Sequence, residues 1–411
     1  WAQTLNTLAA AYADRIRGDR ADNIEEAIAF YEQALTVRTQ ESMPIEWAQT
    51  LNNLAVAYRN RIRGDRASNV EKAIAAYEQA LTVMTQAAMP VNWATTMMNL
   101  AAAYHNRIRG DRAENLEQAI ATYKQALTVR TQAAMPVVWA QTLNNLANAY
   151  RNRIRGDRAD NIEEAIAFYE QALTVRTQES MPIEWAQTLN NLAIAYRNRI
   201  RGDRAENVEK AIAFYEQVLT VITFEELPEL WAIVMSNLAL VYQNRVEGDR
   251  ADNLQTAIHY TQQALSVFTQ QAYPLIWAQQ QSHLAQLYGD PAIREYRQAI
   301  QILEQTHQFL LQTRLDLDLL ATVIFELAEL YHITGRLEPA RLLLKDAQRL
   351  YQRLNQPEQE TAVLATLGNL EVQMGLTDRA AIHLQSALEY YRTHNRGNRA
   401  MEVEKVLGFL K

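Results

Sequence analysis

Apolar residues recur with helical spacing in a stretch that is repeated along the chain. In residues 47–63 they fall at steps of three and four, at Trp47, Leu51, Leu54, Ala55, Tyr58 and Ile62. That spacing places them along one side of an α-helix. A second stripe with the same spacing follows at Val70, Ala73, Ile74, Tyr77, Leu81 and Met84. The pattern therefore predicts two amphipathic helices in succession.

Turn and cap residues predict where these two helices meet. Gly64 is expected to stop the first helix, because glycine tolerates a positive φ. Arg61 and Arg63 are then expected in its last turn, where positive charge complements the helix dipole. Ser68 stands three residues before Glu71, the spacing of a capping box, so the second helix is predicted to begin there.

The helix pair repeats with a fixed period. Tryptophan occurs only at positions 1, 47, 93, 139, 185, 231 and 277, which gives a step of 46 residues. One pair has too little interior to fold alone, whereas stacked pairs bury each other's apolar stripes. Trp47, Tyr58 and Tyr77 are therefore expected to pack in the core of a solenoid.

Changes in repeat length divide the chain into three parts. Residues 1–276 hold six long repeats, residues 277–397 hold three shorter ones, and residues 398–411 are predicted to form a capping helix with Lys405 and Lys411 facing solvent. The first and fourth repeats differ at only four positions, which indicates recent duplication. The sequence thus predicts nine helix pairs and one closing helix.

The shorter repeats resemble the tetratricopeptide repeat. Its pattern of leucine, small residue, tyrosine, glycine and later alanines is matched by Leu327, Ala328, Tyr331, Gly335, Ala340, Leu344 and Ala347. The next repeat matches at Leu367, Gly368, Gly375, Ala380, Leu384 and Ala387, although Glu371 replaces the tyrosine. The long repeats fit with insertions in the turn and between the pairs. The resemblance implies an all-α, right-handed superhelical solenoid of antiparallel helix pairs.

The long repeats also resemble a particular group of bacterial arrays. Their turn, Tyr-Arg-Asn-Arg-Ile-Arg-Gly-Asp-Arg at 58–66, is similar to that of arrays in cyanobacterial and other bacterial proteins. Such arrays are often joined to a caspase-like CHAT peptidase domain or serve as sensor arms of STAND-type NTPases. The resemblance implies recognition of a protein or peptide by the arm of a larger signalling or defence protein.

Composition narrows the classes of function. The chain of 411 residues has a net charge of −7, which disfavours nonspecific nucleic-acid binding, and no cysteine, which excludes thiolate chemistry. No apolar run reaches the roughly 18 residues of a membrane span, and no signal peptide is visible, so a cytoplasmic location is expected. Because the chain opens on Trp1 inside a repeat, residues are expected to be missing upstream.

No constellation of residues predicts catalysis. The chain has no glycine-rich phosphate loop, and its seven histidines are scattered without the spacing of a metal site. Most carboxylates stand at helix starts, where capping explains them. The sequence therefore predicts neither an enzyme nor a bound cofactor or metal.

Arginines cluster in the repeated turn and allow two interpretations. Arg61 and Arg66 are expected to pair with Asp65 and with the acidic starts of second helices, as surface charges commonly do. The alternative is a stacked arginine edge that binds phosphate or nucleic acid. No aromatic residues alternate with these arginines, as single-strand binders require.

The polar side of the first helices supplies the candidate site. In tetratricopeptide arrays this face lines the concave groove, and asparagine side chains can donate to and accept from an extended peptide backbone. The alternative is that these asparagines bridge neighbouring repeats. The candidate groove residues are Gln49, Asn52, Asn53, Arg59, Asn60, Met98, Asn99, His105, Asn106, Gln141, Asn144, Asn145, Arg151, Asn152, Gln187, Asn190, Asn191, Arg197 and Asn198.

Variation along this face predicts the kind of partner. Arginine-bearing repeats flank a more apolar third repeat, which carries Thr95, Met98 and His105. A protein or peptide with acidic residues around an apolar anchor would match, since arginine binds carboxylates and methionine adapts to apolar shapes. Two other functions stay open: a small-ligand sensor arm that changes pitch on binding, and a self-associating structural scaffold.

Overall fold

The computed structural model describes residues 1–410 and consists of helices joined by short turns. Within those residues there are nineteen helices and no strand. Eighteen of the helices form nine consecutive antiparallel pairs, and the last helix follows them. The prediction of an all-α fold of helix pairs is confirmed. Backbone contacts divide the chain into an N-terminal unit, Trp1–Val221, and a C-terminal unit that starts at Ile222.

The N-terminal unit contains five pairs. The first helices of the pairs are α1 (Ala2–Asp14), α3 (Pro44–Asn60), α5 (Pro90–His105), α7 (Pro136–Arg151) and α9 (Pro182–Arg197). The second helices are α2 (Arg20–Leu35), α4 (Arg66–Leu81), α6 (Arg112–Leu127), α8 (Arg158–Leu173) and α10 (Arg204–Leu219). Consecutive first helices also contact one another, which places them on the inner side of this unit.

The C-terminal unit contains four pairs and a final helix. Its elements are α11 (Pro228–Gln243), α12 (Arg250–Val267), α13 (Pro274–Gly289), α14 (Tyr296–Thr313), α15 (Leu317–Ile333), α16 (Leu337–Arg353), α17 (Pro357–Gln373), α18 (Thr377–Thr393) and α19 (Gly397–Phe409). The predicted capping helix corresponds to α19, and Lys411 lies outside the described residues.

The predicted apolar stripes form the core of each pair, with one exception. Leu54, Tyr58 and Tyr77 are buried, and Trp47 packs half-buried against them. Ile62 was expected in the same stripe, but its side chain is 61% exposed. The reason is that α3 ends at Asn60, so the positions that follow leave the helix and turn outwards.

The second helices begin earlier than the predicted capping box. The N-cap of α4 is Asp65, whose Oδ2 accepts a hydrogen bond of 2.9 Å from the backbone N–H of Ser68. The preceding Gly64 has a φ of +80°, which glycine adopts without strain and which brings the aspartate to the helix end. The prediction of Ser68 as the cap is therefore wrong, and Glu71 is left for another role.

Each turn is closed by side chains that satisfy backbone groups. The amide of buried Asn69 donates to the carbonyl of Arg63 across 2.9 Å, and Asn115 binds the carbonyl of Arg109 at the same distance. Arg66 does not form the predicted ion pair. It is the first residue of α4, and its Nη1 donates to the carbonyl of Arg59, which the end of α3 leaves without a helical partner.

These contacts predict a local cost for losing the buried asparagine. Asn115→Ala should destabilise the third repeat by about 1–3 kcal/mol, because the turn would lose the hydrogen bond from this buried amide to the carbonyl of Arg109. Amide hydrogen exchange should show faster exchange in α5 and α6 and in the adjacent repeats. The control is Asn198→Ala, at an exposed position. Equal protection in both variants would contradict this account of the turn.

Candidate functional site

The predicted site residues lie on the surface formed by the first helices of the N-terminal unit. We call this surface the inner groove and define it by the positions equivalent to Gln49, Asn52, Asn53, Arg59 and Asn60. Steps of three and four residues along α3 bring these side chains to one side of the helix. Equivalent residues on α5, α7 and α9 extend the groove along the unit.

Three of the predicted residues converge on one cavity of the inner groove. It has a volume of about 330 Å³ and lies between the first three repeats. Gln49, Asn52 and Asn53 line it from α3. The remaining lining residues are Thr95, which the sequence places on this face, and four that were not predicted to line a site, namely Asn6, Met84, Asn92 and Thr96. The structure therefore joins residues from several repeats into a polar recess.

Several of the predicted asparagines bridge neighbouring repeats. Thr96 donates to Oδ1 of Asn52 across 3.3 Å, and Asn191 donates to Oδ1 of Asn144 across 3.3 Å. In the third and fourth repeats, Nδ2 of Asn152 lies 3.1 Å from Nε2 of His105. The alternative of structural bridging thus applies to these positions, although their side chains still border the groove.

Two arginines in the groove have donors without acceptors. The guanidinium groups of Arg151 and Arg197 make no hydrogen bond or ion pair with described residues, and Nη1 of each is buried. Burial lowers the pKa of Arg197, and the charge of neighbouring Arg151 acts in the same direction. The hydroxyl of buried Tyr215, close to both charges, also lacks a partner. Such donors suit the oxygens of a carboxylate or phosphate.

In the third repeat His105 occupies the position that Arg59 and Arg151 hold in the neighbouring repeats, so the groove carries less positive charge there. Burial lowers the pKa of His105 to about 4, and the positive charges of Arg112 and Arg151 act in the same direction. His105 is therefore neutral near pH 7. Met98 lies nearby, with its Sδ 3.8 Å from Nδ2 of Asn145.

A row of buried arginines beneath the groove was not predicted from the sequence. Arg38, Arg130 and Arg176 are 3%, 3% and 6% exposed, and Nη1 of Arg38 donates to Oγ1 of Thr50 across 2.8 Å. Arg130 and Arg176 bind Thr142 and Thr188 in the same way, at 3.2 and 2.9 Å. A signal was present in the sequence: the equivalent positions of other repeats are apolar, namely Met84, Ile222 and Phe268.

The arginines of the turn are occupied by ion pairs between repeats. Arg61 binds Glu25 of the preceding second helix through two hydrogen bonds, of 2.7 Å from Nε and 2.6 Å from Nη2. We call this pair and its equivalents the turn ladder; the other members are Arg107–Glu71, Arg153–Glu117 and Arg199–Glu163. Arg63 pairs with Asp22 beside it. The expected pairing of Arg61 with the acidic start of a second helix is confirmed by Glu25 of α2, whereas the expected pairing with Asp65 is wrong, because Asp65 caps α4 and pairs with Arg109.

In residues 1–410, no three or more histidine, aspartate or glutamate side chains are grouped so that they would hold a metal ion. None of the described helices combines the length and hydrophobicity needed to cross a membrane.

Comparison with known families agrees with the helix-pair geometry. The family described as Tetratricopeptide repeat matches five segments, residues 1–40, 47–81, 93–127, 139–178 and 185–219. This chain belongs to the tetratricopeptide repeat family. The resemblance to the tetratricopeptide repeat that the sequence indicated is thereby confirmed. The comparison with curated proteins found no match.

Two solved structures share the fold at low sequence identity. The first is a STAND protein with a tetratricopeptide repeat sensor from Pyrococcus horikoshii, with a TM-score of 0.59 and 14% identity; the match covers 99% of this chain and 65% of that one. This tetratricopeptide repeat chain thus spans about two thirds of the length of that protein. The second is a Rap protein complexed with Competence and Sporulation Factor, with a TM-score of 0.52 and 13% identity, covering 91% of this chain and 99% of that one.

The turn ladder predicts a pH-dependent contribution to stability. Hydrogen bonds from Arg199 hold the pKa of Glu163 below its ordinary value of 4.5. A lowered pKa means that the pair stabilises the folded state above about pH 4.5 and that this contribution is lost as the pH falls through the folded pKa. Glu163→Gln should therefore cost about 1 kcal/mol at pH 7 and less at pH 3.

Hydrogen exchange in α8 and α9 at the two pH values measures this difference. The control is Glu164→Gln, since Glu164 is the exposed neighbour and makes no ion pair. A cost for Glu163→Gln that is the same at both pH values would show that the ion pair is not its source.

Proposed function

We propose that this chain binds a protein or peptide in the inner groove, as the recognition or sensor arm of a larger bacterial signalling or defence protein in the cytoplasm. The observation that carries the proposal is the pair Arg151 and Arg197, whose buried donors have no acceptor among the described residues. Donors that are left unpaired in a folded protein cost free energy, so they favour a ligand that supplies the acceptors.

The solved structures with this fold support the proposal of a recognition or sensor arm. The STAND protein carries its tetratricopeptide repeats as a sensor, and the Rap protein was solved in complex with a factor. A role as an arm fits a chain that spans 65% of that STAND protein. The similarity to these structures is a similarity of fold. The kind of ligand is inferred from the residues of the inner groove in this chain.

We propose a partner with acidic residues around an apolar anchor. The carboxylates would meet Arg59 on one side of the third repeat and Arg151 with Arg197 on the other. The anchor would lie near Met98, where neutral His105 adds no charge. The asparagines that are not engaged between repeats would hold the peptide backbone.

Charge reversal in the groove tests this proposal. A peptide array that varies acidic and apolar positions supplies the ligands, and binding is measured by fluorescence anisotropy. Arg151→Glu combined with Arg197→Glu should weaken binding of acidic peptides at least tenfold, about 1.4 kcal/mol, because the groove would then repel carboxylates.

The matched control reverses charge in the turn ladder while keeping the ion pair. In the double variant Arg153→Glu and Glu117→Arg the pair is exchanged, so acidic peptides should bind as they do to the unchanged protein. The proposal fails if the groove variant, with unchanged helicity, binds these peptides normally, or if only the turn variant loses binding.

A further inference from the structure

Three repeats of the N-terminal unit place an arginine side chain at one equivalent site on the floor of the inner groove. Nη1 of Arg38 donates to Thr50 and its Nη2 donates to Oε1 of Gln3. Arg130 repeats the arrangement, with Nη2 bound to Oγ1 of Thr95 across 3.0 Å. The acceptors are neutral hydroxyl and amide oxygens. The fold therefore accommodates a buried guanidinium on neutral partners at this site.

The second repeat keeps the acceptors but lacks the arginine. Met84 occupies the position of Arg38, while Thr96 and Gln49 occupy the positions of Thr50 and Gln3. Oγ1 of Thr96 lies 3.5 Å from the sulfur of Met84, and its hydroxyl donates to the carbonyl of Asn92 and to Oδ1 of Asn52, so no guanidinium donates to it. The cavity of about 330 Å³ described above lies at this point and is lined by Met84, Gln49 and Thr96. We call it the Met84 pocket.

The lining of the Met84 pocket is rich in acceptors and carries no charge. Its polar side chains are amides and hydroxyls, and no lysine, arginine, aspartate or glutamate borders it. Oδ1 of Asn6 is buried without any donor, and the amide of Gln49 has no partner among the described residues. An acceptor left unpaired in this way favours a ligand that brings N–H groups.

The fifth repeat also lacks the arginine, but it has no polar acceptor at the equivalent position. In the fifth repeat the equivalent position is Ile222, and the threonine position that follows has become Val234. Both residues are fully buried. There apolar residues stand in place of both the donor and the acceptor, whereas the second repeat lacks only the donor.

We infer that the Met84 pocket binds the guanidinium of an arginine side chain on a partner peptide. The planar group has five donors in a fixed fork, which matches an acceptor lining that the chain itself fills with arginine in three other repeats. A lysine offers three donors from one point and meets fewer of these acceptors. The volume lies within the roughly 300–1,000 Å³ of common ligand sites. The inference deepens the proposed function, since it adds one basic residue to the acidic partner. It rests on the proposed function only in assigning the arginine to a peptide; the binding of a guanidinium by the pocket does not depend on it.

The test uses blocked amino acids rather than an unidentified partner. The full chain is labelled with ¹³C at the methionine methyl groups and titrated with N-acetyl-arginine methylamide. The Met84 methyl signal should shift and saturate, while the signals of Met181 and Met235 stay fixed. The citrulline and lysine analogues should need at least tenfold higher concentrations. No shift of Met84, or equal saturation by the citrulline analogue, would overturn the inference.

Two variants test whether the pocket binds a guanidinium in the way that Arg38 and Arg130 are bound in their own repeats. Met84→Arg should fill the pocket with a tethered guanidinium and reduce binding of the arginine probe at least tenfold, measured by saturation-transfer NMR on the probe. Arg130→Met should open a second pocket, whose new methyl signal responds to the probe. Undiminished binding to Met84→Arg would contradict the assignment.

The two proposals fail separately. If acidic peptides bind across Arg151 and Arg197 while Met84 does not respond to arginine, the pocket is wrong and the groove is right. If the arginine probe binds at Met84 while no peptide binds the groove, the proposed function is wrong and the pocket is right.

Discussion

Burial of the second-helix tyrosines is the constraint on which the N-terminal unit depends. Tyr77, Tyr123, Tyr169 and Tyr215 are almost completely inaccessible to solvent. No single helix pair covers such a ring on all sides, so each pair needs its neighbours. Buried alanines in the same core cluster as Tyr77, such as Ala73 and Ala103, allow the helices to approach closely, and the spacing of the repeats follows from that packing.

The turn ladder fixes how successive pairs are joined at their edge. Each arginine beyond the end of a first helix reaches a glutamate on the preceding second helix, as Arg107 reaches Glu71 through two hydrogen bonds of 2.8 Å. The same glutamate is free for this role because an aspartate caps its helix. The aspartate therefore closes the turn, and the glutamate joins one repeat to the next.

Function is left to the positions that packing does not fix. The core and the turn stay almost constant from repeat to repeat, whereas the inner groove changes from Arg59 to His105 and back to Arg151. The floor beneath it changes as well, from Arg38 to Met84. Such substitutions alter charge and volume on the surface of an otherwise uniform stack, and the proposed binding of a peptide depends on them.

The sequence by itself determined the helix pairs, their period and most of their core. A buried stripe repeats every three or four residues within a helix and every 46 residues between repeats, so local spacing was sufficient. It also placed Gln49, Asn52 and Asn53 on one side of a helix. Helix ends were less certain, because Asp65 and Ser68 both suit a cap and only the path of the turn chooses between them.

Tertiary structure alone decided which partners meet. Arg61 and Glu25 are 36 residues apart, and their pairing depends on how one pair stacks on the next. The same holds for the asparagines that bridge repeats and for the arginines buried beneath the groove. The Met84 pocket is the clearest case: a methionine in an apolar stripe gives no sign of a cavity until the acceptors of adjacent repeats surround it. Local periodicity carries no information about such contacts, since they form between residues that only the stacking brings together.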